Sequence, residues 1–186
     1  MTIDPREAAS SLDDIAGIER RMREALFYGG SSNILIAWGI ICAIGHCITQ
    51  FSPRNAGLAW LLLDAVGVVA AVVISVRRAR QRRRDWNWRF AAGITVTVAF
   101  GLLWQWLLGD GQWREVSAFW ATLIMFTYIL AGLWVGRFFV VCGIVVTALT
   151  LVGYFWSGAW FELWMAAVFG GSLVAGGLWL RRVGAR

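Results

Sequence analysis

Residues 57–76, GLAWLLLDAVGVVAAVVISV, run directly into residues 77–84, RRARQRRR. The first stretch is twenty residues long and Asp64 is its one ionisable group. At about 1.5 Å per residue such a helix covers about 30 Å, the thickness of bilayer hydrocarbon. The second stretch packs six arginines into eight positions. An apolar run of that length, stopped by a basic block, reads as a membrane span ending at a charged interface.

Working outward, five more runs of similar length follow the same pattern. The spans are placed at Asn33–Phe51, Gly57–Val76, Phe90–Leu108, Val116–Val135, Phe138–Trp156 and Trp160–Leu180. The composition agrees: 59% of the 186 residues are hydrophobic and the mean hydropathy is +0.65, too apolar to coat a water-soluble globule. The fold class expected is therefore all-α: a polytopic bundle of six transmembrane helices over residues 33–180. Residues 1–32 form a cytoplasmic amphipathic helical segment before it, and residues 181–186 a basic cytoplasmic tail after it.

All 17 basic residues are arginines, and the formal charge is +6. Their distribution decides what the charge means. Fifteen lie in the N-terminal segment, the second and fourth connectors and the C-terminus; Arg54 and Arg114 alone lie in the first and third connectors. This is a positive-inside bias that puts both termini in the cytoplasm of a bacterial inner membrane, and it argues against nucleic acid as the partner. The run at 77–84 can enforce topology, attract anionic headgroups at about 1 kcal/mol per charge, or dock an acidic partner. The chain is rich in tryptophan, with 13. Trp86, Trp88, Trp134 and Trp179 fall at cytoplasmic ends of spans, and Trp60, Trp104, Trp106, Trp113, Trp156 and Trp160 at the opposite ends, as interfacial anchors do.

The opening thirty residues are charged and lack the apolar core of a cleavable signal. Asp4-Pro5-Arg6-Glu7 reads as a helix start, and Ile15, Ile18, Met22 and Leu26 recur at three- and four-residue spacing. That apolar stripe opposite a charged face is the candidate binding surface for a cytoplasmic protein partner; the bilayer surface and the protein's own helices are the alternatives.

Ionisable groups inside a span cost about 2.5–3.5 kcal/mol each, so the few present are singled out. His46, the sole histidine, lies five residues from the outer end of the first span, and Asp64 about seven from the outer end of the second. Their depths differ by only ~3 Å, so the two can face each other across one hairpin. With Gln50, Gln105 and Glu162 they form the candidate intramembrane polar pocket, all in the outer leaflet. Either the pocket binds a ligand or relays a proton, or His46 and Asp64 satisfy each other and orient the hairpin.

Small residues mark close helix contacts: Gly132 and Gly136, and Ala167, Gly171 and Ala175 beside Gly170, Gly176 and Gly177. They make the last helix central, to the bundle or to a homo-oligomer. No cofactor is expected. Without lysine there is no retinal Schiff base, and one histidine excludes bis-histidine haem. Cys42 and Cys47, about 140° apart on a helix, form no C-x-x-C thiol centre. Gly170-Gly171-Ser172-Leu173 lacks the closing glycine of a rhomboid-type protease, and Cys42 with His46 and Asp64 falls short of a zinc site. Catalytic residues are accordingly not assigned.

The segments Gly132-Leu133-Trp134-Val135-Gly136-Arg137-Phe138-Phe139, Gly153-Tyr154-Phe155-Trp156 and Gly176-Gly177-Leu178-Trp179-Leu180-Arg181-Arg182 resemble a group of six-span bacterial inner-membrane proteins without assigned activity, some encoded beside winged-helix regulators. The resemblance implies no catalytic residues. The function expected is a non-enzymatic interaction or regulatory module, the alternative a small transporter or ligand sensor using the outward-facing polar pocket.

Overall fold

The computed structural model describes residues 32–82, 88–109 and 111–183; the stripe Ile15, Ile18, Met22 and Leu26 lies outside them. Every described element is helical. α1 (Ser32–Phe51) is followed by α2 (Ala56–Arg82), α3 (Trp88–Leu108), α4 (Trp113–Val135) and α5 (Arg137–Trp156). A last rod consists of α6 (Phe161–Met165), a π turn (Ala166–Gly170) and α7 (Gly171–Val183). Five of these rods are long and apolar enough to cross a membrane: Ser32–Phe51, Pro53–Arg77, Trp113–Trp134, Arg137–Trp156 and Gly158–Arg182. The described residues are all-helical, with the spans of a multi-pass membrane protein. In α3 the apolar stretch, Ala92–Leu107, is shorter. The helix of α2 runs on through the arginines to Arg82, past the expected end at Val76, because arginine is a good helix former.

The connectors are short and built from turn residues. Pro53 opens a single 3-10 turn after Ser52, where its missing N–H costs nothing. Gly136, with φ 155°, breaks α4 from α5, and its N–H still reaches Gly132 O at 3.0 Å. The G-x-x-x-G at 132–136 is thus a tight corner rather than a face between distant helices: a Cβ on Gly132 would lie 2.6 Å from Val140 N.

The core is made by α1, α4, α5 and the last rod. Cys42, Ala121, Met125, Val146, Phe161, Met165, Phe169 and Leu173 form one buried cluster. α2 and α3 lie outside it. α2 is held against α1 by knobs into glycines, with the ring of Trp60 over Gly45 and that of Trp38 over Gly67. Trp60 Nε1 donates to Thr49 Oγ1 at 2.9 Å. α3 leans on α4 where Trp120 covers Gly101. Lipid tails are as apolar as these side chains, so such close fits, rather than escape from water, hold the helices together.

The last rod is central, as expected, but through different glycines. Ala167, Gly171 and Ala175 are exposed, while Gly170 and Gly177 are buried against α1. A Cβ on Gly170 would sit 2.9 Å from both Ala43 N and Gly39 O. The π turn explains the difference. In a regular α-helix Gly170 would be rotated about 80° from Glu162; the wider π turn takes up much of that offset. Glu162 and Gly170 therefore face the same neighbour, α1.

Candidate functional site

On α1, Gly39, Ala43, His46 and Gln50 recur at spacings of three and four, a single helix face. The glycine and alanine let the last rod come close, and that closeness brings His46 to Glu162. The imidazole Nδ1 stands 2.7 Å from Glu162 Oε2. Ser117, in the first turns of α4, donates its hydroxyl to the same carboxyl, at 2.9 Å from Oε1 and 3.1 Å from Oε2. All three are buried, with His46 3% and Glu162 7% exposed. With the proton on Nδ1, the carboxyl accepts from both neighbours, which is how a charge-bearing group survives in a dry site. Trp60 stacks edge-on against the imidazole at 5.1 Å and Phe169 at 6.3 Å, fixing the ring between apolar walls.

The expected pairing of His46 with Asp64 does not form. Asp64 is exposed on α2, and no hydrogen bond or ion pair joins it to another described residue. Sequence proximity favours the hairpin partner, and Asp64 does lie between the contacts that Trp60 and Gly67 make with α1, but the imidazole pairs with Glu162 instead. Gln105 is also elsewhere: it accepts from Trp120 Nε1 at 2.7 Å and ties α3 to α4. Of the five pocket residues, His46, Gln50 and Glu162 come together.

Above the buried trio is a cleft of 350 Å³, lined among others by Thr49, Gln50, Trp113, Arg114, Phe161 and Glu162. It opens at the arginine-poor end of the bundle, where α1 finishes and α4 and α6 begin. Gln50 Nε2 donates to Ala159 O at 3.1 Å, which seats the start of the last rod on α1. Gly158, with φ 56°, makes the corner that allows this. Arg114 lies with its guanidinium carbon 4.8 Å from the ring centre of Tyr154 and 5.7 Å from that of Phe161, a cation–π seat. Two polar atoms here are buried and without a hydrogen-bond partner among the described residues: Gln50 Oε1 and Arg114 Nε.

Sequence reasoning missed Arg114 and Ser117. Arg114 was counted only as a charge on the sparse side, although its place within three residues of Ser117 is a usable signal. The order of groups also excludes one chemistry. A serine nucleophile needs its hydroxyl on a base that a third group orients; here Ser117 donates to the carboxyl, not to the imidazole. Among the described residues no group of three His, Cys, Asp or Glu side chains is close enough to hold a metal ion, and Cys42, Cys47 and Cys142 are free thiols.

No protein-family model, curated protein or solved structure matches this chain.

Proposed function

We propose that this is a six-span bacterial inner-membrane protein, with α3 as the sixth span and both termini cytoplasmic, that binds a small polar solute from outside and acts as a ligand sensor. The observation that carries the reading is the cleft above Glu162, whose floor is a buried carboxyl held by two donors and whose walls carry Gln50 and Arg114. Its volume of 350 Å³ lies within the range of ligand pockets, which starts at about 300 Å³. The arginine asymmetry supports an outward-facing mouth. Beneath the floor the bundle is filled by Met125, Met165 and Phe169, which favours reception at one face over a continuous path. The interaction module keeps a place in this reading: the stripe Ile15, Ile18, Met22 and Leu26 is the surface through which the bound state would reach a cytoplasmic partner. The likeness to six-span bacterial proteins encoded beside regulators is consistent with that output.

The test is to purify the protein in mild detergent beside Ala159→Trp, which crowds the mouth of the cleft, and to identify extracted small molecules by mass spectrometry. The expected result is a polar solute retained by the wild type and depleted from the variant. Identical extracts from two equally folded samples would remove the sensor reading.

A further inference from the structure

The cleft is lined by groups of opposite charge, and together they specify a ligand. Arg114 is fixed on the faces of Tyr154 and Phe161 at 4.8 and 5.7 Å, and as a half-exposed side chain it lines the cleft. A guanidinium held in that way is preorganised for a carboxylate or phosphate oxygen. Gln50 lines the cleft too, with its amide nitrogen bonded to Ala159 O at 3.1 Å. Glu162 lines the same cleft and, with two donors already bound, retains lone pairs on its oxygens. Acceptor oxygens of this kind suit an ammonium or another N–H cation.

We infer that the cleft binds a small zwitterion, with its anionic group on Arg114 and its ammonium on Glu162. The inference rests on the solute-binding reading above and names the chemical class of the solute. A cleft of 350 Å³ fits a molecule of amino-acid size, not a peptide. The same chemistry can arrive free in solution or as the ethanolamine phosphate headgroup of a lipid.

The test uses the full chain in nanodiscs of phosphatidylglycerol, which lacks an ammonium, with calorimetric titration of four probes: glycine, glycerophosphoethanolamine, acetate and ethylamine. At least one zwitterion binds more tightly than acetate and ethylamine by roughly 10- to 100-fold, the value of one charge-assisted hydrogen bond. Arg114→Gln, a half-exposed position, removes that advantage by a similar factor. Nanodiscs containing phosphatidylethanolamine suppress binding of the soluble zwitterion if the headgroup is the occupant and leave it unchanged if the solute is free; both results keep the class. If acetate or ethylamine binds as tightly as the zwitterions, the class is wrong although the cleft still binds solutes. Should none of the four bind, both this inference and the solute-binding reading fall. The comparison among probes on the wild type stands even where a variant misfolds.

Discussion

His46 Nδ1 and Glu162 Oε2 lie 2.7 Å apart across 116 residues of sequence, tying the first described helix to the start of the last rod. Both groups are buried, and Ser117 shares the carboxyl. Among the described residues each finds its side-chain polar partners within the trio, so the trio behaves as a unit.

Replacing the shared acceptor is the direct test of that unit. Glu162→Leu leaves the imidazole and the Ser117 hydroxyl without a partner and lowers unfolding stability by about 2–6 kcal/mol, since each of the two stranded buried groups costs roughly 1–3 kcal/mol. Glu162→Gln keeps an acceptor and costs less. In a double-mutant cycle read by detergent unfolding, His46 and Glu162 couple by about 0.5–3 kcal/mol.

Asp64 behaves differently. It is exposed on α2 and makes no hydrogen bond or ion pair with another described residue, so Asp64→Leu leaves the unfolding midpoint unchanged or raises it. It also eases membrane insertion, by up to about 2.5–3.5 kcal/mol. A cycle between His46 and Asp64 is additive within about 0.5 kcal/mol. Measured coupling of 1 kcal/mol or more (the order of one net hydrogen bond, roughly) would restore the hairpin pair.

Neighbouring glycines in the last rod separate close packing from open surface. Gly170→Val drives side-chain atoms into the backbone of Ala43 and Gly39, which a Cβ alone would meet at 2.9 Å, and costs about 1–3 kcal/mol or more. Gly171 has nothing within 4 Å of a built Cβ, so Gly171→Ala is neutral or stabilising by up to about 1 kcal/mol. Unfolding curves of the two variants in one detergent make the comparison.

Orientation is read by labelling. In a background where Cys42, Cys47 and Cys142 are replaced, cysteine at Ser157 reacts with an impermeant maleimide in intact cells. Cysteine at Gln81 reacts only after lysis. Outside labelling at Gln81 would invert the topology and turn the cleft to the cytoplasm.

Removing residues 1–28 leaves membrane insertion and detergent stability of the remaining chain nearly intact, because spans are satisfied individually before they pack. The same deletion abolishes a partner interaction or regulatory phenotype. Loss of the folded bundle would make Ile15, Ile18, Met22 and Leu26 packing residues instead.

The membrane class was legible in residues 57–84 alone, because hydrocarbon forces every span to be a long, nearly charge-free helix. That constraint acts locally, so length and apolarity disclose it without knowledge of neighbours. Depth was legible too: His46, Gln50 and Glu162 could all be assigned to one leaflet by counting residues.

Rotation and partner choice were decided only by the tertiary structure. Which face of α1 meets which helix depends on where backbones can approach, and that is set by Gly39 against Gly170 and by Trp60 against Gly45. A single π turn at Ala166–Gly170 re-aimed the last rod, moved the buried glycines from 171 to 170 and 177, and turned Glu162 toward His46. No local pattern announces that turn, so counting along a regular helix gave the wrong face. Hydrophobicity fixes how deep a side chain sits, whereas close packing between helices distant in sequence fixes what it touches.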